Sequence, residues 1–267
     1  MAPDQYMHGH HESVLRSHRW RTADNSAAYL LPHLRPDMRL LDVGCGPGTI
    51  SVDLARRLPA GSVLGVDAAA SVVEAAAAEA RAAGVGNVEF AVADAYGLDF
   101  EDATFDVVHA HQVLQHLTNP VAALSEMRRV VRADGVVAAR DSDYDAMTWF
   151  PASPRLDHWR QIYDRLARGN GTEPSAGRHL LSWARTAAFS TVAPSASVWC
   201  FATPEDRAWW GELWADRVVV STFAEQATAR GLATRAELDD LAAGWRAWAA
   251  EEDGWFVVVH GEVLCRQ

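Results

Sequence analysis

Asp42-Val43-Gly44-Cys45-Gly46-Pro47-Gly48-Thr49 holds the clearest chemistry in this chain. An apolar run ends in an acid, three glycines follow at alternate positions, and a helix-like segment begins. Glycine serves where the backbone must take a positive φ or lie close to a ligand. A helix N-terminus offers N–H groups and a positive dipole end to a negative group. The stretch therefore reads as a cradle for a small molecule with a carboxylate or phosphate. Two more acids, Asp67 and Asp94, follow at the ends of apolar runs. They are either ligand-binding carboxylates or ordinary acids capping strand ends. A dinucleotide fingerprint needs G-x-G-x-x-G. Gly44 and Gly46 fit it, but its last position is Thr49, and Gly48 comes one residue early.

The elements that must position these residues alternate. Strands are expected at 40–43, 62–67, 88–92, 105–110 and 135–139, with helices at 49–58, 70–83 and 120–131 between them. That rhythm means βαβ units and a parallel sheet. An amphipathic helix is expected at 10–31. After residue 141 the pattern changes to helices at 154–169 and 175–188, a strand near 191–202, helices at 204–230 and 234–251, and a last strand at 254–264. The expected architecture is α/β and Rossmann-like. It has a mostly parallel seven-stranded sheet with helices on both faces, an N-terminal helical lid over 1–35, and a main domain over 36–267. A helical cap at about 204–251 is inserted in the C-terminal half.

Composition narrows the function. The formal net charge is −11 over 267 residues, which argues against a nucleic-acid partner. All 24 basic residues are arginine. Without an ε-amine there is no Schiff-base chemistry, and without a Gly-Lys pair no P-loop. Cys45, Cys200 and Cys265 are odd in number and far apart, so neither a disulfide framework nor a CxxC metal site fits. A reducing, cytoplasmic setting is expected. No signal peptide and no membrane span are expected. His8, His10, His11 and Glu12 lack a partner at ligand spacing, so no metal is assigned.

Four segments in order carry a resemblance: Leu41 to Gly48, then Gly65-Val66-Asp67, then Ala93-Asp94-Ala95, then Phe105 to Leu117. Together they resemble the class I S-adenosylmethionine-dependent methyltransferases, in the small-molecule branch related to ubiquinone and menaquinone biosynthesis. The match covers residues 38–141. The resemblance implies S-adenosyl-L-methionine as cofactor. It also implies cofactor contacts from Asp42, Gly44, Gly46, Gly48, Asp67, Ala68, Asp94, Ala95 and His111. Asp67 would accept from the ribose hydroxyls. Asp94 would accept from the adenine amine, and the Ala95 N–H would give to a ring nitrogen. Related enzymes close an N-terminal helix with an aromatic residue near the sulfonium, a place for which Tyr6 is the candidate. Arg19-Trp20-Arg21 and Tyr29 would continue that lid, and a solvated start is the plainer alternative.

Methyl transfer needs the acceptor atom held in line with sulfur, and a neutral acceptor also needs a base. Histidine titrates in the right range. The candidates are His10, His11, His111 and His116, with Tyr29 and Asp141 behind them; His11, Tyr29 and His116 are the catalytic assignments. Ten of the eleven tryptophans lie at or after residue 149. At helical spacing these read first as core. An apolar acceptor pocket or a homo-oligomer interface are the other readings. The expected function is methylation of a small aromatic or heterocyclic acceptor in secondary metabolism. Indole carbon methylation is one lead, and quinone or phenol methylation another. The rivals are an NAD-dependent oxidoreductase and a non-catalytic cofactor-binding subunit.

Overall fold

A computed structural model describes residues 17–267. Seven strands form one sheet in the order β3-β2-β1-β4-β5-β7-β6. They are β1 (Arg39–Val43), β2 (Ser62–Asp67), β3 (Val88–Val92), β4 (Phe105–His111), β5 (Val131–Phe150), β6 (Thr191–Phe201) and β7 (Trp255–Arg266). The first five are parallel, and β7 runs antiparallel to both β5 and β6. The sheet reverses its order between β1 and β4, and a ligand crevice belongs at such a switch point.

The helices are α1 (Ala23–Ser26), α2 (Thr49–Arg57), α3 (Ala70–Ala82), α4 (Pro120–Val130), α5 (Pro154–Gly169), α6 (Leu180–Thr186), α7 (Pro204–Val220), α8 (Thr222–Ala229) and α9 (Arg235–Ala250). Side chains alternate across each strand, so the sheet has two cores. Leu40, Val107 and Ala138 pack with Ile50 and Leu54 of α2 on one face. Leu41, Val108 and Ala139 pack with Leu124 and Met127 of α4 and Leu180 of α6 on the other.

The far halves of β5, β7 and β6 carry a third core. Phe256, Val258, Trp199 and Phe201 meet Trp159 of α5, Trp210 and Trp214 of α7, and Trp245 and Trp248 of α9. The cap thus takes in α5 as well as the helices after 204. Trp159 sits edge-on to Trp214 at 4.6 Å and to Trp245 at 4.8 Å between ring centroids. Offset and edge contacts of this kind are the favoured aromatic arrangements.

Several sequence expectations need correction. The described part of the expected 10–31 helix is broken. Thr22 starts a new short helix by a reciprocal bond pair with Asn25, and Pro32 then enters a 3₁₀ turn. The 204–230 helix splits at Ser221, whose backbone is extended and whose hydroxyl accepts the Phe223 N–H at 3.2 Å. The 175–188 helix begins as a 3₁₀ turn, Ala176–His179. The fifth strand runs 20 residues, well past the apolar stretch at 135–139. Its continuation, Arg140-Asp141-Ser142-Asp143, is polar yet buried. Such residues sit inside only when partnered. Arg140 pairs with Glu262 at 3.2 Å, Ser142 with Gln115 and Asp143 with Arg178. No helix among the described residues is long and apolar enough to cross a membrane.

Candidate active site

A cleft of about 1020 Å³ opens at the C-terminal ends of β1, β2 and β4. Asp42, Gly44, Gly46, Asp67, Ala68, Asp94, Ala95, His111 and His116 all line it. The βαβ topology brings these nine together from four separate strand ends.

The glycine loop does less ligand contact than its composition suggests. All three glycines have positive φ. A Cβ on Gly48 would meet Ala76 and Phe90 at 2.9 Å, and one on Gly44 would meet Val113 at 2.4 Å. Those two allow close packing, and Gly48 does not line the cleft. A Cβ on Gly46 would face open space up to His18 Nδ1 at 3.9 Å. Nor are the loop amides free for an anion. Gly44 and Cys45 donate to the Val66 carbonyl, Gly48 donates to that of Cys45, and Gly46 donates to Asp67 at 3.2 Å. The loop is therefore a shaped rim rather than an anion cradle.

The acids divide by role. Asp42 is buried and its oxygens are engaged. One accepts from the His109 ring at 2.8 Å and the other from the Ser51 hydroxyl at 2.5 Å. It ties β1 to β4 and to α2, and so supports the loop. Asp67 is half-buried at the rim, where its two oxygens accept the N–H groups of Gly46 and Ala69. Those bonds hold the carboxylate in place and leave lone pairs for hydroxyl donors. Asp94 is exposed, accepts the Tyr96 N–H at 2.9 Å and lines the cleft.

His18, Arg21, His111, Gln112 and His116 line the same cleft. His111 is 5% exposed, and neither ring nitrogen has a hydrogen-bond partner. Burial holds it well below the ordinary histidine range, and the Arg140 and Arg21 charges add to that. Its ring packs against Trp199 at 5.6 Å. A buried polar group without a partner costs about 1–3 kcal/mol, so this ring marks where a ligand's polar atom is needed. His116 is pushed down to about 3, first by burial and then by Arg21 and Arg217.

Tyr29 stands apart. It lies on the α2 side of the sheet, packed in that core, and does not line the cleft. Burial raises its hydroxyl well above 10, so it stays protonated and is no base. This corrects the catalytic assignment, because the chain after α1 folds under the sheet rather than over the cleft. Asp141 faces the opposite side, where it accepts the Gln115 N–H at 3.1 Å, and burial raises it to about 7. Tyr6, His8, His10 and His11 lie outside the described residues. No tryptophan lines the cleft; those of the cap fill their own core.

His18, Gln112 and Gln115 had no signal in residue type or spacing. Gln112 has a φ of 53°, an uncommon conformation for a residue with a Cβ. Its side chain accepts from Arg21 at 2.6 Å and meets His260 at 2.9 Å. That joins the N-terminal segment to β4 and β7.

Comparison with known proteins shows the family. Residues 34–187 match a methyltransferase-domain family model. An uncharacterized methyltransferase of Schizosaccharomyces pombe is 33% identical over 273 residues, covering 98% of this chain and 96% of the relative. A demethylmenaquinone methyltransferase of Roseiflexus castenholzii is 34% identical over 172 residues, 62% of this chain and 66% of its own. Among solved structures, a Haemonchus contortus phosphoethanolamine N-methyltransferase in complex with S-adenosylhomocysteine superposes with a TM-score of 0.55 at 18% identity. It covers 88% of this chain and 50% of its own.

Proposed function

Since the chain belongs to the class I S-adenosylmethionine-dependent methyltransferases, we propose that its acceptor is a small aromatic or heterocyclic molecule. The cofactor is S-adenosyl-L-methionine, which supplies an electrophilic methyl group. The residues present fit it. Asp67 would accept from the ribose hydroxyls, Asp94 and the Ala95 N–H would hold the adenine edge, and Gly46 would leave room for the methionine part. Asp42 and Gly48 keep that rim in shape, and His111, buried with both ring nitrogens unpartnered, lines the same cleft.

The supporting observation is the size and lining of the cleft. At about 1020 Å³ it lies at the top of the roughly 300–1,000 Å³ range of small-molecule sites, with space for cofactor and acceptor together. Planar polar groups, His18, Arg21, Gln112 and His116, are part of its lining. A flat ring fits between such groups better than a flexible chain. Indole carbon methylation and phenol or quinol methylation both suit this shape. The relative named for demethylmenaquinone favours the second. Secondary metabolism and a cytoplasmic setting belong to the same proposal.

The test has two stages. Titration calorimetry with S-adenosylhomocysteine should show binding. A methyl-release assay on an aromatic panel should then show turnover on at least one flat acceptor. Turnover confined to non-aromatic amines or carboxylates would overturn the proposal.

A further inference from the structure

We infer that the Trp20 indole fills an aromatic slot beside the cleft, and that a flat two-ring acceptor takes the slot by displacing it. The inference rests on the aromatic-acceptor proposal above and gives that acceptor a place. Trp20 is the one tryptophan before residue 149. Its ring meets Trp199 edge-on at 5.1 Å, Phe201 at 5.5 Å and Trp209 at 5.4 Å between centroids. The walls are anchored without it. Trp199 and Phe201 lie on β6, paired with Val258 and Phe256 of β7. The Trp199 indole N–H donates to the Asn25 carbonyl at 2.7 Å, and Phe201 stacks on Trp210 at 4.2 Å. Trp20 itself is half-buried at the margin of the cap core, whereas Trp159, Trp214 and Trp245 at its centre are fully buried.

The slot adjoins the cleft on two counts. His18 and Arg21, which flank Trp20 in the chain, line the cleft. Trp199, a wall of the slot, packs on His111 at 5.6 Å, and His111 lines the cleft as well. That imidazole is 5% exposed, and with Trp20 in the slot neither of its nitrogens has a partner. A buried polar group in that state favours any ligand that satisfies it. A hydroxyl both donates and accepts, so it suits either tautomer. Three aromatic walls select a planar ring over a saturated one of similar volume. A hydroxylated two-ring aromatic therefore makes the contacts of the Trp20 indole and adds the one that His111 lacks. The displacement is the swing of a single half-buried side chain. Helix α1 stays in place, because Thr22 and Asn25 cap it with their own bonds.

The test reads Trp20 directly. The full chain is labelled with 5-fluorotryptophan, and Trp20→Phe assigns the Trp20 signal by fluorine NMR. With S-adenosylhomocysteine present, 2-naphthol should move that signal to the position of a solvent-exposed indole and leave the Trp159 signal in place. Decahydro-2-naphthol, which has the hydroxyl but no planar ring, should not. By calorimetry, Trp20→Ala should bind 2-naphthol about tenfold more tightly than the wild type, because a slot filled about nine times in ten lowers apparent affinity by that factor. Trp20→Ala combined with Trp209→Ala removes a wall and should lose the gain. A merely structural Trp20 leaves the wild-type signal unmoved when 2-naphthol binds, and that result overturns the inference. So does Trp20→Ala binding no tighter than the wild type, or 2-naphthol binding to neither protein. An aromatic acceptor turned over with the Trp20 signal unmoved refutes the slot alone. Displacement of Trp20 together with turnover confined to non-aromatic acceptors refutes the acceptor proposal, and with it the slot's role as an acceptor site.

Discussion

Gly46→Ala and Gly48→Ala should fail in opposite ways. Both positions have positive φ, 54° and 83°, so both variants carry the same left-handed penalty of about 1–2 kcal/mol. The surroundings differ. The new methyl at position 48 would sit 2.9 Å from both Ala76 and Phe90, inside the packing between the loop, α3 and β3. Overpacking of that kind adds about 1–3 kcal/mol, for a total of about 2–5 kcal/mol. The new methyl at position 46 points into the cleft, where the nearest atom is His18 Nδ1 at 3.9 Å. Gly46→Ala should therefore stay within about 2 kcal/mol of wild-type stability and lose at least about tenfold in cofactor affinity, or about 1.4 kcal/mol. Urea titrations give the stabilities, and calorimetry with S-adenosylhomocysteine gives the affinities. The reasoning is refuted if Gly48→Ala is no less stable than Gly46→Ala, or if Gly46→Ala binds like the wild type.

Asp67→Ala removes the acceptor for the Gly46 and Ala69 amides and for the ribose. Cofactor affinity should fall by about 1.5–3 kcal/mol, measured by the same calorimetry. Asp141 carries a pH signature, because burial raises it to about 7 while the unfolded group titrates near 3.9. Between those values the folded chain holds more protons than the unfolded one, so this group costs stability as pH rises, up to about 4 kcal/mol. Asp141→Asn keeps the oxygen that accepts from Gln115 and should gain on the wild type in melts at pH 8 relative to pH 4.5; an equal difference at both pH values refutes it. Trp159→Ala empties the centre of the cap core and should cost about 3–5 kcal/mol. Cofactor affinity should not change, since no tryptophan lines the cleft.

Legibility followed locality. The strand-turn-helix at 40–57 and the acids at 67 and 94 were readable because each is a short run with a period and a terminator. Helix α5 was expected over the residues it occupies, and the structure shows the Ser153 side chain capping it. The continuation of β5 was not readable. Arg140-Asp141-Ser142-Asp143 looks like a surface loop until Glu262, Gln115 and Arg178 arrive from elsewhere in the chain. The break at Ser221 was hidden because a serine inside a helical pattern caps or continues with equal ease. Tyr29 misled in the reverse sense, since a tyrosine near an expected lid carries no mark that its hydroxyl will be buried under the sheet.

The resemblance of four motifs supplied the cofactor class. The sequence alone determined the α/β alternation and singled out the acids and glycines at the strand ends, of which Asp42, Gly44, Gly46, Asp67 and Asp94 line the cleft. Those features depend on backbone periodicity and on residues that act through their own type. The tertiary structure decided what each group is free to do. It turned Asp42 inward, spent the loop amides on Val66 and Asp67, filled the cap with its own tryptophans, and put Gln115 against His116. Hydrogen-bond capacity is finite at each atom. Which partner takes it is set by chain segments that meet only when the sheet is built, and no spacing in the sequence records that meeting.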